Sequence, residues 1–306
     1  MSLYEHFTSK GPSGFGYGST AEQVTAGLSL AGKTILVTGC NSGLGLETMR
    51  VLAMRGARVA CTARTVDKAK AAGDSVAGET VPFACELSDP ASVRACVAAV
   101  RERGLRLDAI VANVGIMALP ALQTTHGYEL QFFTNHIGHF MLVTGLLDQL
   151  TDAGRVVMLS SAAHRNAPKG GIQFDNLDGR KGYGSWANYG QAKLANILFA
   201  KELSRRFAGT TRTANAVHPG VIHTNLGRHM NPVATAVFGL VGPLALKSVP
   251  QGAATQVFVA THPSIAGVSG EYFADCNVAK PRADANDPEL AARLWKVSEE
   301  IVARLP

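Results

Sequence analysis

A tyrosine and a lysine four residues apart, Tyr189 and Lys193, are the side chains in this sequence best suited to acid–base chemistry. Residues four apart share one face of a helix, so the lysine ammonium would lie close to the phenol. A tyrosine ordinarily titrates near pH ~10, and a positive charge about 4 Å away, at an effective dielectric constant of about 20, is worth about 4 kcal/mol. The pair therefore predicts a phenol with a lowered pKa that exchanges a proton with an alcohol or a carbonyl near neutral pH.

A glycine-rich turn lies upstream, in the run Thr38-Gly-Cys-Asn-Ser-Gly-Leu-Gly45. Gly39, Gly43 and Gly45 would allow a sharp bend, a close approach to a pyrophosphate and tight packing of a helix on a strand. The N-terminus of that helix would add NH groups and the positive end of a dipole. The Tyr-x-x-x-Lys spacing also occurs on ordinary solvated helices, but together with this turn it predicts hydride transfer with a bound dinucleotide.

The elements that must position these residues alternate between strand and helix. Apolar runs bounded by turn residues predict seven strands, at Thr34 to Thr38, Ala57 to Thr62, Thr80 to Ala84, Leu107 to Ala112, Arg155 to Ser160, Thr213 to Val217 and Glu271 to Phe273. Amphipathic segments predict helices near Gly45 to Arg55, Pro90 to Glu102, Tyr128 to Leu150, Ala187 to Phe207 and Gln251 to Thr261.

Strands that are apolar on both faces indicate a parallel sheet with helices on each side. Right-handed crossovers then predict a single α/β domain, a doubly wound parallel sheet (Rossmann fold) of about seven strands with its ligand along their carboxyl ends. The glycine-rich residues 1–30 are predicted to form an N-terminal arm, and residues 31–306 to form the catalytic domain.

Further motifs follow the turn in a fixed order: Asn113-Val-Gly115, Asn135-His-Ile-Gly138, Ser160-Ser161, the Tyr189 and Lys193 pair, and His218-Pro-Gly220. From Lys33 onward this order resembles the short-chain dehydrogenase/reductase family, with Val114 replacing the family's usual alanine. The resemblance implies four catalytic residues, which are Asn135, Ser161, Tyr189 and Lys193.

The resemblance also implies their roles. Ser161 would orient the substrate oxygen and Tyr189 would move the proton. Lys193 would lower the pKa of the phenol and hold the nicotinamide ribose, while Asn135 would connect the lysine to solvent through a water. Ser160 is the alternative to Ser161, which is preferred because the family usually places its serine second in this pair.

The residue after the second predicted strand indicates which dinucleotide binds. A carboxylate there would bind the adenosine ribose and repel a 2′-phosphate, whereas this strand is followed by Arg64, and the first acid is Asp67. A guanidinium can pair with a 2′-phosphate, so NADP(H) is favoured and NAD(H) is the alternative. It also stays open that Arg64 is an ordinary solvated residue with no contact to the cofactor. The resemblance implies the remaining cofactor-binding residues: Gly39, Asn41, Ser42, Gly43, Leu44, Gly45, Glu86, Leu87, Asn113, Gly115, Tyr189, Lys193, Pro219, Gly220, Val221 and Thr224. Glu86 stands where family members often have aspartate.

Two segments bear on the substrate. The stretch between Ser161 and Tyr189 is longer than in many family members, and it predicts a rim at residues 164–187 that contains Phe174, Tyr183 and Trp186. After Thr224, an apolar stretch predicts a lid at 223–250 for a hydrophobic carbonyl or alcohol, with packing in the core or an interface as the alternative. The combined motifs resemble the retinol dehydrogenase and WW-domain oxidoreductase branch most.

Composition argues against several other classes of protein. The net charge of +6 and the pI of about 9.1 are not concentrated in one basic run, so no nucleic-acid partner is expected. Five cysteines, an odd number widely spaced, fit a reducing compartment, and we expect the cytoplasm. No secretory leader is expected, because residues 1–10 lack an apolar core, and the longest apolar stretch, which contains Pro243, is too short for a membrane span.

No metal site is expected, because His136 and His139 have no neighbouring carboxylate or cysteine to complete a ligand set. The family resemblance implies a possible homodimer or homotetramer. Two functional alternatives stay open: an NAD-dependent alcohol dehydrogenase, and a non-catalytic dinucleotide-binding redox sensor, since the same fold can bind cofactor without chemistry. The exact substrate and the direction of reaction are not encoded in these motifs.

Overall fold

The computed structural model describes residues 9–222 and 246–306. Its strands are β1 Thr34–Val37, β2 Arg58–Ala63, β3 Thr80–Ala84, β4 Leu107–Ala112, β5 Thr124–Thr125, β6 Tyr128–Glu129, β7 Leu150–Leu159, β8 Thr213–His218, β9 Tyr272–Ala274 and β10 Asn277–Val278. Eight of them form one sheet in the order β10-β9-β8-β7-β4-β1-β2-β3, while β5 and β6 form a separate hairpin. All neighbours in the large sheet are parallel except β9 and β10. The predicted doubly wound sheet is confirmed, with β10 as an additional edge strand.

The α-helices lie on both faces of this sheet. They are α1 Ala21–Val24, α2 Gly43–Met54, α3 Val66–Asp74, α4 Pro90–Glu102, α5 Leu130–Phe132, α6 Gly138–Gly145, α7 Ser185–Arg206, α8 Val249–Thr261 and α9 Pro288–Arg304. Within residues 9–222 and 246–306, no helix combines the length and the hydropathy needed to cross a membrane.

Alternate residues of each central strand supply two separate apolar cores. In β1, Ile35 and Val37 belong to the core that contains α1, α2 and α8, whereas Leu36 belongs to the core that contains α4, α6, α7 and α9. Because successive strand residues point to opposite faces, a strand apolar throughout must be covered on both sides. The continuous apolar runs of the sequence therefore correspond to a three-layer arrangement.

The structure differs from the expected helices in four regions. The segment from Tyr128 to Leu150 is not one helix: it contains β6, α5, a π-helical turn at Phe133–Ile137, α6 and the first residue of β7. Helices α1, α3 and α9 have no counterpart among the helices predicted from the sequence. The N-terminus of α9 carried a usable signal, because the Asp287 side chain accepts hydrogen bonds from the Glu289 and Leu290 amides and Pro288 occupies the first turn.

The described part of the predicted arm packs against the sheet domain. Ala21 and Val24 are buried in the core beside α8. Further upstream, the Asn277 side chain accepts a hydrogen bond from the Ser13 amide at 3.0 Å and donates one to the Phe15 carbonyl at 3.0 Å. Residues 9–30 are thus joined to the sheet edge near β10.

Candidate active site

The glycine-rich turn between β1 and α2 leaves room for an anion at the start of the helix. Gly39 and Gly43 have φ values of +73° and +57°, which favour glycine. A β-carbon at position 45 would overlap the Gly39 carbonyl oxygen, so this glycine allows the close packing of α2 on the turn. Ser42 precedes α2, and its hydroxyl makes no capping bond to the described residues. The first amides of α2 are therefore available to a phosphate group.

A cleft of about 760 Å³ extends from this turn along the carboxyl ends of the strands. Most of the predicted cofactor residues line it: Gly39, Asn41, Ser42, Gly43, Leu44, Arg64, Glu86, Leu87, Asn113 and Gly115. Arg64 is exposed directly after β2. Glu86 is engaged locally, since one carboxylate oxygen accepts bonds from the Ser88 amide at 3.2 Å and hydroxyl at 2.9 Å. The volume and this lining fit an extended dinucleotide.

The predicted catalytic pair lies on α7, beyond the Gly115 end of the cleft. Tyr189 and Lys193 are both buried, and the Lys193 Nζ lies 5.7 Å from the centroid of the Tyr189 ring. That Nζ also donates a hydrogen bond to the Leu159 carbonyl at 3.0 Å. A β-carbon added to Gly115 would lie 3.1 Å from the Lys193 Nζ and 3.4 Å from the Asn135 Oδ1. Lys193 and Asn135 therefore converge on Gly115, and a larger residue at this position would require one of the two side chains to shift.

Burial dominates the acid–base properties of this pair. It raises the pKa of Tyr189 to about 12, opposed by a hydrogen bond from the Ser161 side chain, and it lowers the pKa of Lys193 to about 7. The expectation of a lowered phenol pKa is not met in the protein alone. Both groups are removed from water, and desolvation disfavours the charged form of each.

The two candidate serines have different environments. The Ser160 hydroxyl is buried and donates a 2.8 Å hydrogen bond to the Lys193 carbonyl, which ties β7 to α7. The Ser161 hydroxyl faces the Tyr189 phenol and also accepts a 3.2 Å bond from the Ala163 amide. Ser161 thus caps the following turn and also faces the phenol. The geometry favours Ser161 over Ser160.

Asn135 lies within the π-helical turn and is fully buried. Its side chain forms a reciprocal pair with the backbone of Ile116, accepting from the amide at 2.8 Å and donating to the carbonyl at 2.9 Å. Single π-helical turns within α-helices frequently occur at functional sites. This turn holds the loop after β4 at the end of the cleft, close to Lys193.

His139, for which the sequence predicted no role in the site, extends this network to the glycine-rich turn. The Thr38 hydroxyl accepts bonds from the amides of Asn113 at 2.8 Å and Val114 at 3.0 Å. Its proton must therefore go to the His139 Nε2, 3.0 Å away, while the His139 Nδ1 donates to the Asn135 carbonyl at 3.0 Å. This bonding pattern assigns a neutral imidazole protonated on Nδ1.

The buried His139 predicts a loss of stability in acid. Burial lowers its pKa to about 4 from an ordinary value of 6.5, so between these values the unfolded chain binds the proton and the folded protein does not. Above pH ~6.5 the imidazole is neutral in both states and causes no loss of stability. At pH 5 the protonation of His139 in the unfolded chain lowers the free energy of unfolding by about 2 kcal/mol. Urea unfolding at pH 7 and pH 5 measures the effect. In His139→Gln the loss between these pH values should shrink by that amount, and an unchanged loss would contradict the assignment.

Thr134 is a second residue at the site that is absent from the residues predicted from the sequence. It lines the cleft, and its buried hydroxyl oxygen has no hydrogen-bond partner among the described residues. By contrast, Thr144 and Thr261, which also lie in helices, bond the carbonyl four residues earlier, at 2.6 Å and 2.7 Å. A buried polar atom without a partner at the wall of a cleft fits a contact with a bound molecule. The one feature of the sequence that could have indicated Thr134 is its position directly before Asn135.

The remaining predicted residues lie apart from this cleft or outside the described ranges. Pro219, Gly220 and Val221 follow β8, where the Val221 carbonyl accepts a 2.9 Å bond from the Lys247 amide, but they do not line the cleft. Thr224 and positions 223–245 of the predicted lid lie outside the described residues. The rim at 164–187 is described, and its aromatic side chains are treated below.

The two histidines considered as metal ligands both have protein partners. The His136 Nε2 lies 2.8 Å from the Ser298 hydroxyl, and His139 is bonded as above. Across residues 9–222 and 246–306, no cluster of three or more histidine, cysteine, aspartate or glutamate side chains is arranged to hold a metal ion.

Comparison with known proteins gives consistent matches. A sequence model described as short chain dehydrogenase matches residues 33–234. The short-chain dehydrogenase TIC 32 B, chloroplastic, of Brassica napus is 41% identical over 324 aligned positions that cover 100% of both chains. Human retinol dehydrogenase 14 is 38% identical, covering 90% of this chain and 87% of its own. A crystal structure of a putative uncharacterized protein from Mycobacterium paratuberculosis superposes with a TM-score of 0.76 at 34% identity, covering 94% of this chain and 98% of that one.

Proposed function

The chain belongs to the short-chain dehydrogenase/reductase family and is an NAD(P)-dependent oxidoreductase, and from that premise we propose that it transfers a hydride between NADP(H) and a hydrophobic carbonyl compound or alcohol. Tyr189 is the acid–base group in this proposal. The observation that carries it is the convergence of Lys193 and Asn135 on Gly115, with Tyr189 one turn before Lys193, at the end of a dinucleotide-sized cleft.

The residues divide the work as follows. The Ser161 hydroxyl holds the substrate oxygen beside the phenol, and in the reductive direction Tyr189 donates its proton to that oxygen. The Lys193 ammonium stabilises the phenolate that remains. Asn135, fixed to Ile116, keeps the loop after β4 in place. When bound, the nicotinamide ring supplies the hydride in reduction and accepts it in oxidation. Thr134 and the first amides of α2 are placed to hold the cofactor itself.

The preference for NADP(H) depends on Arg64. This guanidinium is exposed at the cleft directly after β2, where it can form two charge-assisted bonds with a 2′-phosphate. Glu86 also lines the cleft but already accepts bonds from Ser88. We therefore take Arg64 as the residue that sets the cofactor preference.

Arg64→Ala should weaken NADPH binding by about 10- to 100-fold, because hydrogen bonds between charged groups contribute about 1.5–3 kcal/mol. The affinity for NADH should change by less than about threefold. Titration of cofactor fluorescence measures both dissociation constants. Arg58→Ala, which removes an exposed arginine that pairs with Glu79 at the start of β2, is the matched control. Equal losses for the two cofactors in Arg64→Ala would exclude the phosphate contact.

A hydrophobic substrate is supported by the name and similarity of retinol dehydrogenase 14. The direct experiment is to follow NADPH oxidation and NADP⁺ reduction over a broad panel of carbonyls and alcohols. Turnover of apolar members supports the proposal. The redox-sensor alternative would instead require that the protein binds NADPH, turns over no member of the panel and behaves identically after Tyr189→Phe.

We also propose that the protein works in a reducing compartment and that it forms a homo-oligomer. All five cysteines are free and buried, which fits a reducing compartment such as the cytoplasm. A homodimer or homotetramer is proposed on the family resemblance alone, and light scattering of the purified protein measures it.

A further inference from the structure

The three aromatic side chains of the predicted rim have different environments. Phe174 packs against the apolar core, and the Arg293 guanidinium lies 4.1 Å above its ring. The Tyr183 hydroxyl donates a 2.6 Å bond to the Leu119 carbonyl and accepts one from the Gln131 side chain at 3.1 Å. Trp186, in contrast, is 42% exposed. Two of the three thus stabilise the fold, and one presents an apolar surface to solvent.

Trp186 is held directly beside the proton-donating residue. It is the second residue of α7, three positions before Tyr189, so both side chains lie on one face of the helix. Their ring centroids are 6.1 Å apart, with the ring planes at 80°. The start of the helix is fixed by a reciprocal pair, in which the Gly184 amide donates to the Asn188 side chain at 3.1 Å and the Asn188 amide to the Gly184 carbonyl at 2.8 Å. These bonds fix the start of α7, and the indole lies against the Tyr189 ring.

The second tryptophan shows how this chain treats an indole that serves packing. Trp295 is 5% exposed, stacks on Phe199 with centroids 5.4 Å apart and lies 3.9 Å beneath the Arg206 guanidinium. Tryptophan has the largest apolar area of any side chain, so its burial contributes a large hydrophobic stabilisation. The exposed indole of Trp186 lacks much of this stabilisation in the protein alone. A bound molecule that meets the Tyr189 hydroxyl would cover the indole.

We propose that Trp186 forms an apolar wall of the substrate site and that the preferred substrate carries a flat aromatic or conjugated group next to its reacting carbon. This inference rests on the proposed function, because it takes Tyr189 as the residue that meets the substrate oxygen. Offset or edge-to-face packing on the indole would select flat groups over short aliphatic ones. Trp186 is thus a specificity-determining residue.

Steady-state kinetics with two aldehydes tests the inference. For the reduction of trans-cinnamaldehyde, Trp186→Ala should raise KM by at least about tenfold, whereas Trp186→Phe should remain within about threefold of wild type. For propanal, which carries no flat group to pack on the indole, KM should rise far less in Trp186→Ala than it does for trans-cinnamaldehyde. Equal losses for both aldehydes would mean that Trp186 only supports Tyr189, and unchanged kinetics would mean that it lies outside the substrate path. Either result overturns the inference.

A binding measurement separates this inference from the proposed function. With 5-fluorotryptophan, the two indoles give two ¹⁹F signals, which Trp186→Phe assigns. In the complex with NADP⁺, which holds no hydride to transfer, trans-cinnamaldehyde should shift the Trp186 signal saturably and leave the Trp295 signal in place. A Trp186 signal that does not move, or an equal shift with propanal, would contradict the proposal that Trp186 forms a wall of the substrate site selective for flat groups. Because this readout needs no turnover, it stands even if Tyr189→Phe turns out to be active and the proposed chemistry fails.

Discussion

Replacing Tyr189 by phenylalanine is expected to lower kcat by about 1000-fold or more while the dissociation constant for NADPH stays within about twofold. The variant removes one buried oxygen and keeps the ring that packs against Trp186. General acid–base catalysis contributes about 10²- to 10⁴-fold, so the loss of the proton donor accounts for a fall of this size. Ser161 is the nearest hydroxyl, but an alcohol is a far weaker acid than a phenol, so it cannot replace the lost group.

Two measurements make this result specific. Single-turnover reduction separates the chemical step from product release, and cofactor fluorescence reports NADPH affinity. Tyr128→Phe is the matched control, because it removes a phenol oxygen from a ring that stacks on Phe133 outside the Ser161, Tyr189 and Lys193 cluster, and it should keep the wild-type rate. If Tyr189→Phe retained turnover, Tyr189 would not be the proton donor. If it lost both turnover and NADPH binding, the substitution would have disturbed the cleft.

The sheet and its ligand side could be predicted because local patterns determine them. The apolar runs at residues 35–37 of β1, 109–112 of β4 and 156–159 of β7 are continuous, so each had to be covered on both faces. The glycine-rich turn indicated the start of α2, because glycines are favoured where the backbone adopts positive φ values, as Gly39 and Gly43 do. Tyr189 and Lys193 could likewise be placed on one helix face, because residues four apart in a helix lie on the same side.

The features that could not be predicted depend on contacts between distant parts of the chain. The π-helical turn at Phe133–Ile137 interrupts a segment whose apolar pattern indicates a continuous helix, and its Asn135 bonds the loop at Ile116. His139 became recognisable only when Thr38, more than 100 residues earlier, was found at its Nε2. Spacing within a helix contains no information on such partners.

The pKa of Tyr189 illustrates the same limit for chemistry. Sequence spacing indicated that a cation would lie near the phenol, and it does, 5.7 Å from the ring centroid. Spacing did not indicate how deeply both groups are buried, and burial sets the direction of both shifts. Tyr189 therefore stays protonated across the working pH range, and the quantity that varies near neutrality is the charge on Lys193.

Lys193→Met should accordingly lower kcat for carbonyl reduction by about 100-fold. A unit charge 5.7 Å from the ring contributes about 3 kcal/mol at an effective dielectric constant of about 20, which corresponds to that factor in stabilising the phenolate formed in the reaction. Methionine keeps the length and the apolar contacts of the side chain. Lys201→Met, on the same helix two turns further along, removes an amine that bonds the Gly270 carbonyl and should leave kcat within about twofold of wild type.

The pH dependence of the reduction distinguishes the electrostatic role of Lys193 from a purely structural one. Burial lowers the pKa of Lys193 to about 7, so the ammonium is present below that pH and is lost above it. In the wild-type enzyme kcat/KM for reduction should therefore decline as the pH rises through about 7, because the phenolate loses its counter-charge. Lys193→Met should show a low rate with no inflection there. An inflection that persists in the variant would assign the titration to another group, whereas a flat wild-type profile would mean that the charge on Lys193 does not contribute to proton transfer from Tyr189.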